Sequence, residues 1–280
     1  MRKHKSEISV LMSTYYREKP DYLEEAMKSI WTDQIRKPDQ IVLVEDGPLT
    51  PELDKVVDSW KEQLGDILTI VANKENLGLA EALNNGIEYC KGTYIARMDS
   101  DDKSTPNRFL LQEKYLDEHP YVSILGGALE EFNDQGTLSN IRHYPLHMKG
   151  VLSTMYKASP LGHPTVMFRN KFFTSGHRYN DHYYICEDVA LWFEAIHDGY
   201  VIHNLPDVIL YFRRNDSMMT RRGREKAWSE FHAYVDGIKA IYGEYSFKYI
   251  YPVMRLIFRL MPTPLIKLVY NSNFRKKIVK

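Results

Sequence analysis

Across residues 8–102, short apolar runs alternate with amphipathic stretches, and the fourth run ends directly in Asp99-Ser100-Asp101-Asp102. Nothing else in the chain constrains its fold as strongly, because apolar runs of strand length separated by helical patterns mark parallel strands joined by crossover helices. Residues 8–13, 40–44, 68–72 and 93–98 read as buried strands. Asp21 is placed to cap a helix in which Leu23, Ala26, Met27, Ile30 and Trp31 recur at helical spacing. Thr50-Pro51 opens a second helix, with a capping residue followed by proline in the first turn, and residues 79–89 give a third. Four strand–helix units predict an α/β fold built on a mostly parallel open sheet flanked by helices.

Beyond Thr105-Pro106 the pattern predicts another helix and then shorter elements at 122–125, 165–168 and 201–210, with a hairpin around Asp134-Gln135-Gly136. This division gives a catalytic domain over residues 1–215, in halves of 1–104 and 105–215, and a helical extension over 216–280. With 280 residues and 44% apolar content, the chain can bury a substantial core. Its net charge is zero, yet residues 246–280 hold eight Lys or Arg and no acid, leaving 29 basic against 37 acidic residues before them. An acidic body excludes nucleic acid as its natural partner, whereas a basic, aromatic tail suits anionic lipid. Cys90 and Cys186 are too few for a disulfide scaffold or a zinc cluster, which fits a reducing compartment. The run at 8–12 is too short for a signal peptide, and Arg255, Arg259 and Lys267 interrupt the best candidate for a membrane span. These readings place the chain in the cytoplasm, with peripheral membrane contact at most.

Ligands of open α/β sheets bind beyond the carboxyl ends of the strands, where successive crossovers part. Two acidic sites fall there: Glu45-Asp46-Gly47 after the second strand and Asp99 to Asp102 after the fourth. Three carboxylates within four positions repel one another unless a cation lies between them, and Mg²⁺ or Mn²⁺ prefers oxygen ligands shared with substrate phosphates. The alternative is a polar turn ahead of Pro106, with Asp102 or Ser104 as a helix cap. Farther on, Glu187-Asp188 opens a helix carrying Val189, Leu191, Trp192 and Ile196, so both carboxylates sit at its N-terminal end, where ionisation is favoured.

Taken in order, six segments carry a family resemblance: residues 8–15, 42–47, 76–80, 94–102, 163–167 and 187–192. Together they resemble family 2 glycosyltransferases, whose catalytic domain has the Rossmann-like GT-A fold, over about residues 6–215. The resemblance implies that Thr14, Tyr15, Glu45, Asp46 and Asn76 line the nucleotide pocket, with Asp46 accepting from the uracil edge. Arg97, Asp99 and Ser100 fall at the donor's ribose and diphosphate, Asp99 and Asp101 at a Mn²⁺ or Mg²⁺ ion. Arg97 can pair with the diphosphate or with Asp99, and Asn76 can serve the pocket or cap the next helix. Asp188, beside Glu187, is implied as the base that takes the acceptor's proton in a single inverting displacement.

Two departures from the family pattern bear on the reaction. No Gln-Xaa-Xaa-Arg-Trp motif follows Asp188, which points to addition of one sugar rather than polymer synthesis. Where many relatives have Tyr-Arg-Xaa-His, this chain reads Tyr211-Phe212-Arg213-Arg214-Asn215, and Arg213, Arg214, Arg221 and Arg222 are candidates to neutralise phosphate instead. The expected activity is transfer of one hexose, glucose or galactose, from a UDP-sugar to a polyprenyl-diphosphate-linked saccharide in bacterial O-antigen or capsule synthesis. A metal-dependent nucleotidyltransferase and a non-catalytic nucleotide-sugar binder are the competing readings; the first would need a glycine-rich basic loop where Thr14-Tyr15-Tyr16-Arg17 stands. In the tail, Ile250, Val253, Met254, Ile257, Phe258, Leu260 and Met261 recur at helical spacing until Pro262 and Pro264. A second apolar segment at 265–270 then leads to Arg275-Lys276-Lys277. That pattern suits a helix lying on the inner face of the plasma membrane, or one packed on the catalytic domain or on a second copy of the chain in a homodimer.

Overall fold

A computed structural model describes residues 6–183, 185–214 and 224–260. Its first four long strands, β1 (Ile8–Thr14), β2 (Gln40–Glu45), β3 (Leu68–Ala72) and β4 (Tyr94–Asp99), pair in parallel in the order β3-β2-β1-β4. Helices α1 (Pro20–Ile30), α2 (Pro51–Leu64) and α3 (Leu79–Ile87) make the crossovers. Because helices cover both faces, each strand is apolar on both sides. Val10 and Met12 of β1 enter one core with Leu23, Met27, Val57 and Trp60, while Leu11 enters the other with Leu83, Phe168 and Trp192.

Beyond β4 the sheet becomes mixed. After the short strand β5 (Lys103–Ser104) and α4 (Arg108–Glu118) come β6 (Val122–Asn133) and β7 (Gly136–Arg142), which form the expected hairpin. Next follow α5 (Met148–Met155), β8 (Met167–Arg169), the short α6 (Lys171–Thr174), α7 (Glu187–His197) and β9 (Val201–Arg213). Strand β8 bridges the halves, antiparallel to both β4 and β6, while β6 and β9 run parallel along most of their length. Two helices, α8 (Arg224–Tyr242) and α9 (Ile250–Leu260), complete the described chain. The segment at 265–270, Arg275 to Lys277, Arg221 and Arg222 lie outside the described residues.

Local chemistry accounts for where these elements begin. Thr50 caps α2 as expected, its Oγ1 accepting from the Leu53 amide at 3.3 Å. Helix α1 starts two residues earlier than its pattern predicts: Pro20 takes the first turn, where its fixed φ fits, so Lys19 holds the cap position and Asp21 lies inside the helix. Asn76 caps nothing, since Gly78 at φ 90° occupies the position before α3. Nor do Asp102 and Ser104 cap a helix: Asn107 precedes α4, and Ser104 belongs to β5. Helix α8 packs on α7 through Gly237, where an added Cβ would lie 2.1 Å from the Phe193 ring.

Candidate active site

Three strand ends build one wall of the site. The Asp46 amide donates to the Thr14 carbonyl at 2.8 Å and the Asn73 amide to the Glu45 carbonyl at 2.9 Å, which ties the ends of β1, β2 and β3 together. Asp46 is buried, and its carboxylate accepts from Asn73 Nδ2 (3.1 Å) and from the amides of Leu77 (2.8 Å) and Gly78 (2.9 Å). Asn76 Nδ2 donates to the Asp46 carbonyl at 3.1 Å. Gly47, at φ 86°, lets this loop approach, because a Cβ there would sit 2.7 Å from the Asn76 nitrogen. Thr14 is buried with its Oγ1 unpartnered, Tyr15 is exposed at the rim, and burial together with Asp54 and Asp58 raises the Glu45 carboxyl. The structure thus gathers Thr14, Tyr15, Glu45, Asp46 and Asn76 at one edge, with Asp46 engaged chiefly in shaping the loop.

At the end of β4, Asp99, Asp101 and Asp102 bring carboxylate oxygens within 4.8 Å of one another. Arg97, only 2% exposed, lies beneath them and pairs with Asp99 at 2.5 Å, leaving its Nε and Nη1 buried without partners. Burial, with the charges of Asp99 and Glu18, pushes Asp101 up to about 7. Burial and the charges of Asp99 and Asp101 push Asp102 well above the carboxylate range. One arginine does not compensate three crowded carboxylates. Asp102 is fully buried, with Oδ1 accepting from the Arg213 amide at 2.7 Å and Oδ2 unpartnered. An all-oxygen donor set with one buried oxygen unused fits Mg²⁺ or Mn²⁺. Ser100 Oγ donates to Glu18 Oε2 at 2.8 Å, which brings Glu18 over the cluster. The sequence pattern counts Asp102 among three crowded carboxylates but names only Asp99 and Asp101 as ligands, and it gives Glu18, alone in a loop, no site role.

Across Arg97 from this cluster stands the N-terminus of α7, with Glu187 and Asp188 in its first turn. The amides of Val189 and of Asp188 itself hydrogen-bond the Asp188 carboxylate, and Arg97 also favours its charge. Burial outweighs them and raises the Asp188 carboxyl to about 6; burial and the Asp188 charge raise Glu187 to about 7. Ile185, just before the helix, holds φ 68°, a region costly for a β-branched residue. Beside them His163 Nε2 meets the Tyr179 hydroxyl at 3.0 Å, and burial with the Arg97 charge keeps His163 neutral. His163 and Tyr144 also line an adjoining groove of about 680 Å³.

Arg213 does not stand free to meet phosphate. Its Nε donates to the Asp101 carbonyl at 2.8 Å, Nη1 to Asp134 at 2.7 Å and Nη2 to Glu25 at 2.5 Å, so this buried guanidinium clamps the acidic turn to β9. Arg214, by contrast, is half-exposed.

The model for "Glycosyl transferase family 2" matches residues 9–177. The amylovoran biosynthesis glycosyltransferase AmsE of Erwinia amylovora is 35% identical over 266 residues, covering 95% of this chain and 98% of that protein. An Escherichia coli UDP-Gal:alpha-D-GlcNAc-diphosphoundecaprenol beta-1,3-galactosyltransferase is 32% identical over 270 residues, covering 96% of each. Among solved structures, the mannosyltransferase PcManGT from Pyrobaculum calidifontis, in complex with GDP-Man and Mn²⁺, superposes with a TM-score of 0.63 at 16% identity, covering 99% of this chain and 84% of that one. That likeness confirms the GT-A fold. Matched by the family model over more than half its length, and by relatives over nearly all of theirs, the chain belongs to glycosyl transferase family 2.

Proposed function

We propose that this glycosyltransferase moves one hexose, glucose or galactose, from a UDP-sugar to a lipid-diphosphate-linked saccharide in bacterial surface polysaccharide synthesis, at the inner face of the plasma membrane. The observation that carries the reading is the pairing of two acidic sites across buried Arg97: Asp99, Asp101 and Asp102 on one side, Asp188 on the other. Relatives that build amylovoran and that transfer galactose to a diphosphoundecaprenol-linked sugar support the substrate classes.

In this reading the β1–β3 wall receives the nucleotide, and Asp99 and Asp101, with Asp102 behind them, would hold the divalent cation. Bound there, the cation would neutralise charge on the departing nucleoside diphosphate. Asp188 accepts the proton of the attacking hydroxyl as that oxygen bonds to the anomeric carbon and the bond to the diphosphate breaks. A carboxyl near 6 is mostly ionised at neutral pH yet basic enough to draw a proton, a better match than an unperturbed aspartate. Arg97 keeps Nε and Nη1 unpartnered, and its charge favours the ionised form of Asp188 as well as that of Asp99.

Membrane association is proposed through α9, where Ile250, Val253, Met254 and Ile257 are exposed. The arginines expected to border that face do not. Arg255 and Arg259, four residues apart and so on one side of the helix, both turn inward to Glu230, at 3.2 and 2.6 Å. The apolar stripe is thereby presented outward with little charge around it. Among the described residues, no helix is long and apolar enough to cross a membrane.

The test is release of nucleoside diphosphate from a panel of nucleotide sugars, offered with a synthetic GlcNAc-diphosphate-lipid and with Mn²⁺, Mg²⁺ or a chelator. Acceptor-dependent release from UDP-glucose or UDP-galactose, abolished by chelation and by Asp101→Asn, is the expected outcome. Release without an acceptor, or undiminished by the chelator, would overturn the corresponding half of the proposal.

A further inference from the structure

Strands β6, β7 and β9 bring two arginines onto one buried carboxylate at the edge of the groove beside Asp188. Glu131 is 0% exposed and accepts from Arg142 and from Arg214 Nη1 at 3.1 Å, the two arginine side chains being 43% and 49% exposed. Asn140 Nδ2 donates to it as well, at 2.7 Å. The cluster therefore carries two positive charges against one negative. A lone surface arginine flexes and is hydrated, but these two are held at their inner ends by a shared anion, with N–H groups left for a second anion outside.

Arg142 also lines the groove of about 680 Å³, together with His143, Tyr144, His163 and Phe212. No carboxylate is among the residues lining it. Arg142 lies over the Phe212 ring, 5.8 Å from its centroid, and Arg214, just past the end of β9, reaches the same Glu131 carboxylate. At its inner end the groove reaches His163, which packs edge-on to Trp192 of α7, the helix that carries Asp188. Its volume is within the range of small-ligand pockets, and its Tyr and Phe faces suit a sugar ring.

We infer that Arg142 and Arg214, pre-set by Glu131, bind the diphosphate of the acceptor, so that its terminal sugar lies in the groove with a hydroxyl directed to Asp188. This assignment rests on the lipid-diphosphate acceptor proposed above and adds the residues that recognise it. It accounts for a buried glutamate with two cationic partners where one would satisfy its charge. It also separates the two phosphate-bearing substrates, with the donor's diphosphate on the β4 side of Arg97 and the acceptor's on the β7–β9 side.

The experiment uses the full chain, with the nucleotide sugar that supports turnover and two acceptors sharing one sugar, an alkyl diphosphate ester and a neutral alkyl glycoside. Arg142→Gln and Arg214→Gln are made singly, so that Glu131 keeps a cation and the fold is retained; Arg142→Lys keeps the charge without the fork. Each Gln variant is expected to raise KM for the diphosphate acceptor about tenfold, as loss of one charge-assisted contact does. Donor KM should not change, and the preference for the diphosphate over the neutral acceptor should collapse by a similar factor, with partial recovery in Arg142→Lys. Equal losses on both acceptors would assign the arginines to structure and overturn the inference. An unchanged acceptor KM with weakened binding to vesicles of phosphatidylglycerol would give the cluster to lipid headgroups instead and overturn it as well. If the wild-type chain fails on the diphosphate ester altogether, the acceptor proposal itself falls, an outcome distinct from wild-type turnover with insensitive variants.

Discussion

At Asp188 folding and the proposed chemistry pull in opposite directions, because burial raises its carboxyl to about 6 while the base role proposed for it requires the ionised form. The folded value lies above the roughly 3.9 of an unfolded aspartate. The folded state therefore binds the proton more tightly, and the stability this group contributes is present below about pH 4 and lost as pH rises through about 6. Replacing it by Asn should lower kcat about 10²- to 10⁴-fold while leaving nucleotide binding intact, as measured by turnover and by nucleotide titration. The same variant should melt at a higher temperature than wild type at pH 7.5, and that advantage should vanish near pH 4. Wild-type kcat should fall on the acid side of about pH 6, as Asp188 takes up its proton; a flat profile between pH 5 and 8 would exclude it as the base. Arg97 bears on both acidic sites, so Arg97→Met, which keeps the bulk, should weaken metal activation and shift that acid limb upward together.

Among the elements, α7 depends on its neighbour. Gly237 allows α8 to lie against Phe193, and Gly237→Ala, which would favour an isolated helix by about 1 kcal/mol, should here destabilise the protein by about 1–3 kcal/mol through overpacking. Thermal melting measures the loss, and a parallel fall in kcat would show that the position of α8 sets that of Asp188. How far such elements were legible in the sequence follows from where charge is buried. The first four long strands are legible because both faces are apolar, and the parallel half of the sheet follows from them. Strands β6 and β9 run farther than the apolar runs at 122–125 and 201–210, since Glu131 and Arg213 lie inside them, paired with partners distant in sequence. An apolar criterion does not carry a strand on through Gly126-Gly127 to Glu131 or past Leu210 to Arg213, so it misses the ribbon that carries both clusters. For the same reason Asp99, Asp101 and Asp188 stand out by their place after a strand or at a helix start. The burial of Asp102 behind the other two, Glu18 and the role of Arg213 require tertiary contacts to be seen.

For the whole molecule, the described part of the extension packs against the body: α8 lies on α7 and α9 on α8, with Glu230 buried between Arg255 and Arg259. The outward stripe is consequently apolar, with Met254 59% exposed. Met254→Glu with Ile257→Glu should abolish flotation with liposomes at any salt concentration, whereas the wild type should remain bound, if more weakly, at 0.5 M salt, because burial of apolar surface is not screened. The turn that bears Asp101 and Asp102 is held by the backbone and guanidinium of Arg213, at the very end of β9. During synthesis, then, the acidic turn emerges from the ribosome more than a hundred residues before the strand that shapes it, and a nascent chain would present three mutually repelling aspartates without a defined cradle. Competence to hold the proposed cation should therefore arise as a late, single event when β9 docks, so that truncated translation products ending before residue 213 would carry the acidic motif yet fail to compete with the finished enzyme for metal or nucleotide.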